Sequence, residues 1–484
     1  MNATEMNVQP YPDTTQFLDA VKALSPAFFA PGRVIYINRT PGRLDLMGGN
    51  DDYTGGLVFE TTIREATLAA LQARSDRQVV FYNPEVSRLG WEERVEFSLD
   101  DLVNGSTVKP LDTVRNWINS QENRAWCAYI LGDLYYLLLK YFQKVQHGLN
   151  LYLRSDVPLG KGVSSSAALE VAPMKAMAAL YGVSLAGVEL AAATQWVEIA
   201  LTGSACGIMD QLAVVMGDTD TFVPMLCQPC IPYPLVHLPQ NLMLWGIDSG
   251  VRHAVSGLEY ESARSATFMG YRFLCEYEGI QPVLDENSIL KRYTDPLWEG
   301  YLARLSPSLF RARYEDRLPA AVTGANFSQK FPIHLDPYTP VRDEVTYPVK
   351  AATRYAVEEN WRVSLFLSLI SGAGKGVSEQ AGRQLGELMY QAHEGYNSCG
   401  LGSPATDKIV ELVRQEASRG LLGAKITGGG AGGTVAVLGW NTSSTAEAFQ
   451  NVVSQYRQSS GIEPYIFSGS SAGADAFGVM EIII

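Results

Sequence analysis

The sequence is short of several features that mark whole protein classes, and each shortage excludes one. Six cysteines among 484 residues are too few for a disulfide scaffold. Cys227 and Cys230 enclose Gln228 and Pro229 in a lone CxxC; without a second pair it lacks the ligand count of a zinc site and reads as a loop. Lys and Arg number 38 against 51 Asp and Glu, a formal net charge of −13. That balance argues against a general nucleic-acid binder, which would carry a basic face. Long hydrophobic runs are missing too. The most apolar stretch, 129–141, is interrupted by Asp133 and holds Lys140 near its end, so it reads as a buried helix rather than a membrane span. The first residues show no basic start and no apolar run, so no secretory leader is expected and a reducing cytoplasm fits. No internal repeat, low-complexity tract or GxxxxGK[ST] phosphate loop occurs, and nothing indicates an oligomeric state.

What is present describes a soluble globular protein: 46% hydrophobic, 18% charged and 10% aromatic residues. The length predicts two domains, here divided near residue 240 into 1–240 and 241–484. Alternating apolar residues near 34–38, 78–83 and 149–155 predict strands, and helical patterns cover 120–144, 166–182 and 185–202. Strands and helices mix without regular alternation, which predicts an α+β fold. A strand at 242–250 and a helix at 256–277 open the second half. Residues 283–345, rich in Pro, Tyr, Arg and Asp, have little periodicity, and helices at 378–394 and 405–419 precede strands within 423–439. Pro173 inside a helical pattern predicts a kink or break.

Three segments carry chemistry. PGRLDLMGGNDDYTGGLVFE, residues 41–60, places Arg43, Asp45, Asp51 and Asp52 between glycines; it is equally readable as a surface turn. VPLGKGVSSSAALEVA, 157–172, follows a strand with two glycines and three serines that open a helix. Gly160 and Gly162 let backbone approach a ligand, and free N–H groups at a helix start favour an anion such as a nucleotide phosphate. A plain serine cap is the alternative. KITGGGAGGTVAVLG, 425–439, sets five glycines between strand-like flanks. So many glycines weaken a sheet edge unless something must approach the backbone. Gly428–Gly433 satisfies GxGxxG formally, without the surroundings of a dinucleotide site.

Taken in order, the three segments resemble the signature motifs of the GHMP kinases, which include galactokinase, homoserine kinase and mevalonate kinase. The resemblance implies a GHMP kinase fold: an N-terminal domain like domain 2 of ribosomal protein S5 and a ferredoxin-like C-terminal domain, here lengthened by 283–345. ACGIMDQ at 205–211 and VRHAVSGLEY at 251–260 are similar to segments of the galactokinase branch. By that resemblance Asp210 is the catalytic base and Arg43 its cationic partner. Asp52 and Tyr260 contact the sugar, and Glu198 and Ser166 hold Mg²⁺. Gly160, Gly162, Ser164, Ser165, Ser166 and Ala167 bind the phosphates of ATP. His253 is expected to be structural.

One departure bears on the substrate. Galactokinases carry Glu-His near the sugar's 6-hydroxyl, where this chain has Gly49 and Asn50. Losing a carboxylate and an imidazole removes the groups that would reward a buried hydroxyl, whereas a sugar lacking it leaves nothing unsatisfied. L-Arabinose has the ring stereochemistry of D-galactose without C6. From about residue 40 onward, CQP, WGIDSGVRH, CGLGS at 399–403 and AKITGGGAGGTV also look like the L-arabinokinases. The expectation is ATP-dependent transfer to O1 of L-arabinose, a reaction that asks mainly for positioning and charge stabilisation. Galactokinase is the runner-up. A silent sugar sensor has no need of the base, and a uronic-acid kinase would want a cation absent between Asp45 and Tyr53.

Overall fold

The structure, a computed structural model, describes residues 11–120, 122–252, 257–285 and 290–484. Its larger sheet is organised on one 17-residue strand, Leu57–Ala73, buried along almost its whole length. Val34–Met47 runs antiparallel along one edge of that strand. The other edge is shared by Thr221–Leu226 and Leu149–Ser155. Beyond Leu149–Ser155 lie Gln78–Tyr82, in parallel pairing, and Arg94–Ser98. A strand buried this fully needs cover on both faces. Helix Ser165–Leu180 packs on it, and helices Pro12–Ala23 and Val349–Ser371 also reach it.

The smaller sheet has four antiparallel strands in the order Leu421–Ile426, Thr434–Trp440, Leu242–Asp248 and Ile466–Ser468. Helices Glu379–Ser398, Pro404–Gln415 and Ser443–Ser460 pack with it. The division near 240 falls between Val236–His237, on the first sheet, and Leu242–Asp248, on the second. The last strand, Met480–Ile483, returns to pair with Val34–Ile37, so the first sheet includes the chain's final strand.

Several local expectations change. Pro173 lies inside a single helix, Ser165–Leu180, that runs on without a break. The proline removes one backbone donor, but it is buried with its neighbours, and packing on the strands beneath holds both halves in line. Residues 41–47 are not a turn: they continue the strand Val34–Met47, with register shifts between Pro41 and Arg43 and between Asp45 and Met47. Such bulges re-aim side chains next to functional sites. The helix Val349–Ser371 has no counterpart among the sequence expectations. Residues 283–345 form short helices, Pro307–Arg313 and Gly324–Lys330, and small ribbons. Trp298, Phe310, Tyr314, Phe327 and Phe331 pack them in one apolar cluster with residues of helix Leu258–Tyr277. Among the described residues no helix is long and apolar enough to cross a membrane, and all six cysteines are free, Cys227 and Cys230 included.

Candidate active site

Arg43 and Asp210 meet where the bulged strand faces the start of helix Met209–Met216. The Arg43 guanidinium donates to Oδ1 of Asp210 from Nη2 at 2.6 Å and from Nε at 3.0 Å, and from Nη1 to the Gly162 carbonyl at 2.7 Å. Arg43 is 2% exposed whereas the Asp210 side chain keeps 26%, so the carboxylate faces the opening and the cation lies behind it. Burial alone would lower the Arg43 guanidinium, but the carboxylates of Asp210, Glu60 and Asp45 outweigh it and raise it.

The same cleft is bordered by Asn50, Asp52, Tyr260, Gly160, Gly162, Ser164, Ser165 and Ser166. Asp52 is buried, and its carboxylate accepts from the backbone N–H of Tyr53 at 2.9 Å and of Met209 at 3.4 Å. Burial and the neighbouring Asp210 push it up to about 6, against the opposing pull of Arg264 and those N–H donors. Gly207 has no room for a side chain, because a Cβ there would run into the Asp52 carboxylate. Tyr260 meets Tyr53 edge-on at 6.2 Å, and the Tyr53 hydroxyl donates to Oδ1 of Asn50 at 2.9 Å. Asn50 itself adopts a left-handed backbone, φ 58°.

Gly49 does not border the cleft. A Cβ on it would enter the Asp45 carboxylate and the Tyr396 hydroxyl. Asp45 is held there by an ion pair with Lys425 at 2.7 Å, both residues fully buried. Tyr396 donates to the Gly428 carbonyl at 2.5 Å, and Tyr355 donates to the carbonyl of Gly49 at 2.7 Å. Sequence reading treats Gly49 as a lost sugar contact; in space it is a position closed by Asp45 and Tyr396. The signal for Tyr396 lies some 350 residues away and no local pattern marks it.

The serine segment begins with Gly160 and Gly162, both at φ 70°, and with Ser164 at φ 60° as the residue before helix Ser165–Leu180. The Ser164 hydroxyl is buried without a hydrogen-bond partner, an orphan donor at a helix N-terminus where an anion would be welcome. Ala167 is fully buried, so its methyl belongs to the core and only its backbone belongs to the helix start. The glycines of the third segment answer to this loop. A Cβ on Gly428 would lie 2.9 Å from the Gly162 carbonyl, and one on Gly433 2.9 Å from that of Lys161. What approaches this backbone is the protein's own loop at 161–162.

Ser166 and Glu198 come together behind Asp210. Glu198 accepts from Gln211 Nε2 at 2.6 Å and is also hydrogen-bonded by Ser166 and Cys206. Burial, then the Asp210 charge, push it up to about 7. Its helix passes at this point into a π turn, Glu198–Thr202, a feature frequent at functional sites and invisible to a 3.6-residue periodicity. A hydroxyl and a buried carboxylate, both hard oxygen donors, fit Mg²⁺, which draws most of its ligands from phosphates and water. No group of three acidic, His or Cys side chains suited to a metal occurs among the described residues. His253 lies outside the described residues.

Sequence reasoning missed a second opening. From Ser165 a cavity of about 650 Å³ extends past Leu159 and Leu169 to Asn83, Glu85, Trp91 and Trp126. Its lining is scattered over strands, helices and loops, and only the part within 157–169 belongs to a segment the sequence singles out.

Residues 128–218 match "GHMP kinases N terminal domain", residues 368–458 match "GHMP kinases C terminal", and residues 35–73 match "Galactokinase galactose-binding signature". The chain is 35% identical to the L-arabinokinase of Arabidopsis thaliana over 93% of its own length, and spans about half (47%) of that relative. It is 30% identical to the galactokinase of Chloroflexus aggregans, covering 83% of each chain. The crystal structure of Lactococcus lactis galactokinase complexed with galactose superposes with a TM-score of 0.72 at 21% identity, over 96% of this chain and 100% of that one; this shows the shared α+β fold. The chain belongs to the GHMP kinase family, in the branch that holds the galactokinases and L-arabinokinases.

Proposed function

We propose that this chain transfers the γ-phosphoryl group of ATP to the anomeric hydroxyl of a monosaccharide, and that the monosaccharide is L-arabinose. The observation that carries the reading is the Arg43–Asp210 pair in a cleft bordered by the serine loop. In this reading the accessible Asp210 oxygen accepts the O1 proton, and the fixed charge of Arg43 stabilises the oxygen as it loses it. Asp52 and Tyr260 orient the ring. N–H groups at the start of helix Ser165–Leu180, with the Ser164 hydroxyl, receive the phosphates. The base and ribose occupy the cavity that leads from Ser165 to Trp91 and Trp126. Ser166 and Glu198 would hold Mg²⁺, which when bound supplies positive charge to the phosphate oxygens.

The pentose preference rests on Gly49 and Asn50 standing in place of a galactokinase's Glu and His, which leaves a 6-hydroxyl without its partners. Similarity to the Arabidopsis L-arabinokinase over nearly the whole chain supports it. The galactose reading is favoured by the match to the galactose-binding signature at 35–73. An ADP-release assay over L-arabinose, D-galactose, D-fucose, D-galacturonate and D-glucuronate, with the phosphorylated carbon located by NMR, tests the proposal. A 1-phosphate of L-arabinose is expected. Phosphorylation at another carbon would overturn the O1 assignment, and saturable sugar binding without turnover would make the chain a sensor.

A further inference from the structure

Arg264 stands one helical turn after Tyr260 on helix Leu258–Tyr277 and is 3% exposed. A cation buried this deeply is tolerated only if paired and hydrogen-bonded, and apart from Tyr260 on its own helix the partners named here come from distant parts of the chain. Nε donates to Oδ2 of Asp336 at 2.7 Å and Nη2 to Oδ1 at 3.1 Å, a two-point pairing. Nη1 donates to the carbonyl of Ala205 at 3.3 Å. The guanidinium also hydrogen-bonds Tyr260 and lies 4.8 Å from the ring centre of Tyr53.

These partners are informative together. Ala205 opens the segment that ends at Asp210; Tyr260 and Tyr53 border Asp52; Asp336 belongs to the 283–345 region. Asp336 is fixed in turn by the Thr339 hydroxyl at 2.7 Å and the Tyr338 N–H at 3.2 Å, and Ser265 donates to Thr339 at 3.0 Å. The weakly periodic region thus reaches the acceptor side of the cleft through one buried carboxylate.

We propose that Arg264, held by Asp336, is the positioning residue of the sugar site, setting the Ala205–Asp210 segment and the Tyr260 phenol against Asp52. This rests on the reading of Asp52 and Tyr260 as sugar contacts. The pairing also decides where the charge goes. With Asp336 present, both carboxylate oxygens occupy the guanidinium and keep it on the far side of Tyr260. Without Asp336, the buried cation turns toward Asp52, whose carboxylate it already attracts, and takes up acceptor positions a sugar hydroxyl would use.

The test is steady-state kinetics on Asp336→Asn, Arg264→Met and Arg264→Lys, with Asp52→Asn alongside. Thermal unfolding and binding of a fluorescent ATP analogue control for folding. Asp336→Asn and Arg264→Met are expected to raise the sugar KM at least tenfold while the ATP KM moves less than twofold. Arg264→Lys, which keeps the charge but not the two-point pairing, should fall between them and the wild type. Equal changes in both KM values, or a sugar KM within twofold of wild type in Asp336→Asn, would overturn the proposal. Should Asp336→Asn fail to bind the ATP analogue, Arg264→Lys carries the same readout. If Asp52→Asn leaves the sugar KM unchanged, the underlying reading of the sugar contacts fails instead, and the positioning role with it.

Discussion

The hydroxyl of Tyr396 and Gly49 are neighbours across some 350 residues of chain: the space in which a side chain on Gly49 would begin is taken by that hydroxyl and by the Asp45 carboxylate. Neither can withdraw easily, since Asp45 is paired with buried Lys425 and Tyr396 is bonded to Gly428. Gly49→Ala should therefore destabilise the fold by about 1–3 kcal/mol, the usual range for overpacking, measured by urea unfolding. Gly49→Glu alone should lose folded yield rather than gain activity on D-galactose.

Asp52 gives a prediction with opposite signs for stability and function. Its ordinary value is 3.8 and burial, then Asp210, push it up to about 6. Folding therefore favours its protonated form, a contribution complete below pH 3.8 and lost as pH rises through 6. Above pH 6 the ionised group burdens the fold by roughly 3 kcal/mol on the linkage scale. Asp52→Asn is expected to raise the melting temperature at pH 8 and to abolish saturable sugar binding. In the wild type, kcat/KM for the sugar should fall with a midpoint near pH 6 as Asp52 protonates. Asp210, Arg264, Tyr260, Cys206 and Cys227 surround it, and of these Asp210 and Arg264 weigh most among the charges.

Asp210→Asn keeps the shape of the side chain and removes its capacity to take a proton. A positioned base contributes about 10²–10⁴-fold, so kcat should drop by at least two orders of magnitude while the ATP analogue binds as before. Retention of a tenth of the activity would limit Asp210 to orienting the hydroxyl.

Trp91 is half-buried at the far end of the 650 Å³ cavity. Trp91→Ala should raise the ATP KM several-fold with little change in the sugar KM. The reverse pattern would move the nucleotide elsewhere.

Part of the fold was legible where a helix carries one clear apolar face, as in Glu379–Ser398 and Pro404–Gln415. The three glycine-bearing segments were legible as motifs, since close backbone approach can be made only by a few residue types. What they approach was not. The glycines of 428–433 meet the loop at 161–162, a relation that exists only in space. Position 41–47 looked like a turn because its bulges interrupt the alternation that marks a strand. Arg264 and Asp336 carried no signal at all, being 72 residues apart in regions without a shared pattern. Charged pairs that bridge distant segments leave no trace in local periodicity.

The central proposal is a sugar 1-kinase whose acceptor site, with Gly49 and Asn50 where a galactokinase has Glu and His, offers a 6-hydroxyl no partner. The most direct measurement is kcat/KM for L-arabinose, D-fucose and D-galactose with saturating ATP and Mg²⁺. L-Arabinose should exceed D-galactose by at least tenfold. D-Fucose, which keeps C6 but not its hydroxyl, should be at least as good as D-galactose, because the site offers that hydroxyl no partner. A kcat/KM for D-galactose equal to or above that for L-arabinose would contradict the account.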